Sequence, residues 1–272
     1  MLKNNYHTHV AYCNHAEGNV IDYVNKAVEL GFDEIGMTDH APILDGFMNE
    51  EEYKHNFCHE NMTLEIAEIY LNEIKDAQDI HNNKIKVLSG FETEFLPKQL
   101  DYYKFLKKKV DYLNLGIHFY EYNNKILSSY DQVDYKTLEG YVTSAIDGMA
   151  TGLFNTLVHP DLYMYSYKSE KGIKEFDEYC VVAAKRICEA AIKYNVYLEV
   201  NANGIKFCED VDKWRYPSKD FWLIAKEYKD LKIIIGADAH RVDALCNKNV
   251  ELACKFCKDL NLNVLDKMEV NH

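Results

Sequence analysis

The sequence predicts an α/β fold in which seven parallel strands and seven helices close into a barrel. Three observations carry that reading. Short β-like runs alternate with longer amphipathic stretches along the 272 residues, the pattern of parallel β/α units. The last short run, Lys232-Ile233-Ile234-Ile235-Gly236, is nearly all apolar, as expected for a strand covered on both faces. Only four prolines occur and no Pro/Gly/Ser-rich linker divides the chain, so residues 1–272 read as one domain. An open doubly wound sheet is the alternative. No Gly-x-Gly-x-x-Gly follows the first strand, which weakens the dinucleotide-binding version of that alternative.

In chain order, a strand over Asn5 to Val10 leads to a helix carried by Val20, Tyr23, Val24, Ala27 and Val28. Their spacing makes one apolar stripe, and Gly31 stops it. Further strands are predicted at Glu34 to Thr38, Ile85 to Phe95, Tyr112 to Phe119, Thr156 to His159, Val196 to Asn201 and Lys232 to Ala237. Helical periodicity fills Leu64 to Ile80, Lys98 to Lys109, Tyr135 to Ala150, Phe176 to Tyr194, Ser218 to Tyr228 and Val242 to Leu260. Cys254 and Cys257 form a C-x-x-C in the last of these. It reads as helix packing, since no second pair accompanies it.

Lys and Arg total 31 against 44 Asp and Glu, a net charge of -13. The long-range field of such a chain repels nucleic-acid polymers and anionic membranes. No apolar run approaches the roughly 20 residues that span a bilayer, and Met1 to Asn5 lack a signal-peptide core. The eight cysteines are scattered, as in a chain too large to need disulfide staples. The expectation is a cytoplasmic protein with a small-molecule partner.

Eleven histidines are present. Seven lie at or just after predicted strand ends: His7, His9, His15, His40, His118, His159 and His240. His55, His59, His81 and His272 lie elsewhere. In a parallel barrel the C-terminal strand ends form the face that carries active sites. His7-Thr8-His9 places two imidazoles on one side of a strand. Asp238-Ala239-His240 repeats that spacing with a carboxylate and an imidazole, and Glu92-Thr93-Glu94 with two carboxylates. Acids pointing into a barrel mouth are costly without a cation. Imidazole and carboxylate together suit Zn, Mn or Fe.

These segments, in this order, resemble the polymerase-and-histidinol-phosphatase (PHP) superfamily, and within it the histidinol-phosphate phosphatases. The motifs are His7-Thr8-His9, Gly36-Met37-Thr38-Asp39-His40-Ala41-Pro42, Gly90-Phe91-Glu92, Gly116-Ile117-His118-Phe119, His159-Pro160-Asp161, and Glu199-Val200-Asn201 through Tyr216-Pro217-Ser218 to Asp238-Ala239-His240. The resemblance implies a distorted seven-stranded (β/α)7, TIM-like barrel with its metal site at the C-terminal strand ends. It implies three divalent ions. His7, His9, Glu92 and Asp238 would hold the first; Glu92, His118 and His159 the second; His15, His40 and His240 the third. Glu92, Asp238 and His240 are the expected catalytic residues.

The implied reaction is hydrolysis of a small phosphate monoester, L-histidinol phosphate in the first instance. Water between two cations ionises near neutral pH and attacks phosphorus in line with the leaving alkoxide. Asp39, Glu94 and Asp161 could each orient an imidazole, or serve as caps and turns. Lys206, Arg215 and Arg241 are the candidate phosphate-binding cations, or solvated loop charges. Relatives often carry Arg after an Asn-x-x-Gly-Leu segment, where this chain has Ile205-Lys206. They often carry a basic pair soon after His-Pro-Asp, where this chain has Leu162-Tyr163-Met164-Tyr165. The alternative is therefore a PHP phosphoesterase of other specificity, for nucleotide, sugar or phosphotyrosine. Tyr120, Tyr122, Tyr130, Tyr163, Tyr165, Tyr167 and Tyr216 either wall a substrate pocket or pack the rim. A non-catalytic metal-binding relic would lack ligands, and none is missing. A related amidohydrolase would need a carboxylated lysine, for which no candidate is seen.

Overall fold

The computed structural model describes residues 2–44, 62–206 and 208–270. His55, Cys58, His59 and His272 lie outside the described residues. Seven strands form one all-parallel sheet: β1 (Asn4–Asn5), β2 (Glu34–Met37), β3 (Lys86–Thr93), β4 (Tyr112–Leu115), β7 (Thr156–Leu157), β8 (Tyr197–Asn201) and β9 (Ile233–Gly236). Two further strands, β5 (Phe119–Tyr122) and β6 (Lys125–Ser128), pair antiparallel as a hairpin. The α-helices among the described residues are α1 (Val20–Leu30), α2 (Leu64–His81), α3 (Leu100–Lys107), α4 (Leu138–Ala150), α5 (Glu178–Tyr194), α6 (Lys219–Ala225) and α7 (Lys248–Leu260).

The sheet closes on itself. Past the ends of β1 and β9, Thr8 and Ala239 form a parallel bridge. His9 N–H donates to Ala239 O at 2.9 Å, and Ala237 N–H to the Asn5 side chain at 2.8 Å. The first predicted strand is therefore shorter than expected as a ladder, but between Asn5 and His9 it is stitched to both neighbours. The barrel arrangement holds over the open sheet.

Strand alternation sorts residues into an outer layer under the helices and an inner column. Ile35, Met37, Phe91, Leu113, Leu198 and Ile235 belong to the main apolar core beneath the helices. The inward column of β3 runs Leu88, Gly90, Glu92; that of β8 runs Tyr197, Glu199, Asn201; that of β9 runs Ile234, Gly236, Asp238. The lowest residues of these columns pack with Tyr6, Tyr112 and Met268 as a second apolar cluster. Met268 comes from the C-terminal segment, and Thr156 Oγ1 lies 3.1 Å from its sulfur. The barrel is thus plugged at one end by apolar side chains and lined with acids at the other.

Side-chain caps start α1, α2, α5 and α7. Asn19 and Asp22 form a reciprocal capping box at α1, and Gly31 closes it in the left-handed region. The helix predicted over Val242 to Leu260 is two elements. Asn247 accepts from the N–H groups of Asn249 and Val250 and so starts α7 anew after a 3₁₀ turn at Val242–Cys246. Cys254 and Cys257 both lie on α7, and Cys257 is buried in the core. The strand expected to run to Phe119 stops at Leu115. Beyond it Gly116 packs so closely on Glu92 that a Cβ would come within 2.4 Å of Oε1. The chain then enters the hairpin, whose turn residues Asn123 and Asn124 both have positive φ (51° and 59°). No helix among the described residues is long and apolar enough to cross a membrane.

Candidate metal centre

The strand ends bring all seven singled-out histidines to one place. His7 and His9 rings lie 5.0 Å apart, His9 and His240 4.2 Å, His9 and His40 4.4 Å, His15 and His240 4.8 Å, and His118 and His159 4.8 Å. Glu92 stands at the centre. Its Oε1 is 2.9 Å from His159 Nε2 and 3.3 Å from His118 Nε2. Its Oε2 is 3.2 Å from His7 Nε2, 3.3 Å from His9 Nε2 and 3.4 Å from His40 Nδ1. Asp238 Oδ1 lies 3.2 Å from His9 Nε2, 3.5 Å from His7 Nε2 and 3.4 Å from His240 Nδ1. Among the described residues every ion-pair partner of Glu92 and Asp238 is an imidazole.

A second row of acids fixes the rings. Glu199 Oε2 is 2.8 Å from His7 Nδ1, Glu94 Oε1 is 2.6 Å from His118 Nδ1, and Asp39 Oδ1 is 3.3 Å from His9 Nδ1. In each contact Nδ1–H donates to the carboxylate, so each ring presents the Nε2 lone pair to the centre. Glu94 also accepts the backbone N–H groups of His118 and Phe119. Asp39 and Glu94 therefore stand where an orienting role places them. Among the described residues Asp161 pairs with no imidazole; it accepts the N–H of Ser218. Glu199 was not singled out as a site residue from sequence, although it lies in the same inward column as Asn201. Gly236 makes room for it: a Cβ there would sit 2.1 Å from Glu199 Oε2.

The arrangement fits cations. His15 Nδ1 faces Cys13 O at 2.8 Å and His240 Nδ1 faces Asp238 O at 3.1 Å. Carbonyl oxygens only accept, so both Nδ1 atoms carry hydrogen. In neutral rings the two Nε2 lone pairs would then confront each other at 3.0 Å, a repulsion that a positive ion relieves. His9 Nε2 is buried without a hydrogen bond. The donor atoms of His9, His40 and His240 fall within 4.8 Å of one another, as do those of His7, His9 and Glu92, of His7, His159 and Asp238, and of Glu92, His118 and His159.

Electrostatics agree. Burial alone would raise the Glu92 carboxyl, yet the imidazoles of His118, His7 and His40 hold it well below the usual carboxylate range. Burial would lower His118, but Glu92 and Glu94 push it up to about 9. Burial and the neighbouring His9 press His240 down to about 3. The acids likewise raise His7 and His9 against the effect of burial, while burial and neighbouring imidazoles lower His40. Two residues of the cluster also hold strained backbone: His159 and Asp238 have φ of 33° and 48°, the kind of cost found at functional sites.

The candidate cations are placed otherwise. Arg241 pairs with Glu17 and Asp243. Lys206 is exposed. Arg215 donates to Tyr165 O at 3.1 Å and lies 4.4 Å over the Tyr165 ring. Of the tyrosines, Tyr120, Tyr163 and Tyr167 are buried core residues, while Tyr130, Tyr165 and Tyr216 stand beside the cluster.

Compared with known families, the PHP domain model matches residues 5–203. The chain belongs to the PHP family. Its curated relatives include the histidinol-phosphatase of Bacillus subtilis strain 168, 22% identical over 267 residues, covering 89% of this chain and 94% of the relative. Among solved structures, histidinol phosphate phosphatase from Lactococcus lactis subsp. lactis Il1403, in complex with zinc, L-histidinol and phosphate, superposes with a TM-score of 0.71. That match is 18% identical and covers 99% of this chain and 100% of the other. It shows the shared barrel.

Proposed function

We propose that this PHP chain is a metal-dependent phosphomonoesterase acting on L-histidinol phosphate. The observation that carries the reading is the position of Glu92, a buried carboxylate with imidazoles ranged against each of its two oxygens. His7, His9, Glu92 and Asp238 would hold one divalent ion, Glu92, His118 and His159 a second, and His15, His40 and His240 a third; zinc, iron and manganese all suit these donors. When bound, the ions supply Lewis-acid charge that acidifies water and neutralises phosphoryl oxygens. Glu199, Glu94 and Asp39 hold the Nδ1 protons and keep the rings aimed. Gly116 and Gly236 leave the space in which Glu92 and Glu199 lie. The substrate assignment draws on the curated relative, with which the chain shares nearly its whole length.

The test is phosphate release from histidinol phosphate against a panel of sugar, nucleotide, phosphotyrosine and amino-alcohol phosphates, after elemental analysis of the purified protein. Turnover of histidinol phosphate well above the panel supports the assignment. Turnover no better than the panel average removes that substrate and leaves the alternative, a phosphatase of other specificity, which the missing basic residues after Asp161 favour. Protein that binds no divalent metal removes the reaction class.

A further inference from the structure

A phosphomonoester brings more negative charge to a site already rich in acids, and its oxygens need donors. None of the basic candidates contacts the cluster: Arg241 is paired outside it, Lys206 is exposed, and Arg215 is engaged with Tyr165. Tyrosines stand there instead. The Tyr130 ring lies flat on His118, 5.9 Å away and 10° from parallel. Tyr216 meets His159 edge-on at 6.0 Å. Tyr165 lies between them, 5.3 Å from Tyr130 and 6.4 Å from Tyr216. The two outer tyrosines therefore flank the two imidazoles that share Glu92 Oε1. Among the described residues, neither hydroxyl has a hydrogen-bond partner. Each sits in the field of Asp238 and Glu92.

Two features hold Tyr216 in place. A Cβ at Gly204 would come within 2.1 Å of Tyr216 O and 2.5 Å of its ring, so a glycine lets these segments approach. Ser218 N–H donates to the buried Asp161 carboxylate, which pins the stretch that carries Tyr216.

We propose that Tyr130 and Tyr216 are the phosphoryl-binding donors of this chain, two neutral hydroxyls in the role a guanidinium fork plays in other phosphate sites. Arg215 acts at one remove, holding Tyr165 against both rings. This rests on the phosphatase reading above.

The test titrates metal-replete protein with inorganic phosphate by calorimetry, comparing wild type with Tyr130→Phe, Tyr216→Phe and Arg215→Gln, each checked for metal content. Each phenylalanine keeps the ring and removes only the hydroxyl. A hydrogen bond to a charged acceptor then predicts a fall in phosphate affinity of about ten- to a hundredfold, with metal content unchanged and the KM for ester rising in step. A fall below threefold in either phenylalanine variant overturns the proposal. So does loss of metal from either, which makes the tyrosine a structural prop, or a larger loss in Arg215→Gln than in both. Wild-type metal-replete protein that binds no phosphate brings down the phosphatase reading as well.

Discussion

Glu199→Gln changes one buried atom's chemistry and almost no volume. Glu199 is 1% exposed, lies 2.8 Å from His7 Nδ1 through Oε2 and accepts from Asn201 Nδ2 at 2.7 Å through Oε1. Both neighbours donate. A glutamine offers one oxygen and one NH2, so one of the two contacts becomes donor against donor. A buried donor left unsatisfied costs about 1–3 kcal/mol. Substitution of residues that support metal ligands typically costs about 10- to 100-fold in metal affinity or activity, equivalent to about 1.4–2.7 kcal/mol, so the two figures agree. The assay is chelator competition at fixed pH with wild type alongside. The variant is expected to lose metal about 10- to 100-fold more readily and to regain part of its activity in excess metal. Affinity within threefold of wild type would refute the claim that Glu199 aims His7.

Gly236→Ala places a Cβ 2.1 Å from Glu199 Oε2, so it should reproduce the metal loss of Glu199→Gln; elemental analysis reads it. Met268→Ala empties the barrel floor, where Met268 is 1% exposed, and should cost about 2–5 kcal/mol in denaturant unfolding while leaving the metal stoichiometry intact. Asp161 gives a pH signature. Burial pushes its carboxyl up to about 7, above its unfolded value of about 3.9. Between those values the folded state holds the extra proton, so this group makes stability fall as pH rises from about 4 to 7. Asp161→Asn should flatten that part of the thermal-midpoint profile of metal-stripped protein; identical profiles would refute the assignment.

Much of this molecule is legible in sequence because strand periodicity and chemistry coincide. His7 with His9 and Asp238 with His240 are two apart, which in an extended chain is one face, and the structure places all four in one cluster. The strands themselves were recognisable from apolar runs such as Ile233–Ile235, whose both-sided burial is a local property. What escaped depends on partners distant in sequence. Glu199 is an acid one layer below the rim, and only the ring of His7, 192 positions away, makes it part of the site. The hairpin of β5 and β6 has no counterpart among the expected elements, apart from Phe119 at the end of the expected fourth strand, although Asn123-Asn124 between short β-like runs is a turn signal. The break at Asn247 was hidden because the apolar stripe continues through it. The placement of Arg215 on Tyr165 and of Tyr216 on His159 is loop geometry, which no local pattern encodes.

The stitching of Thr8 to Ala239 has a consequence for how the molecule comes into being. His7 and His9 are synthesised well before their companions Asp238 and His240. Until those two are made the nascent sheet has an open flank and a half-built nest of imidazoles. A fragment that stops short of Asp238 and His240 cannot assemble that nest, so under the proposed function a fragment of that kind should capture no ion there.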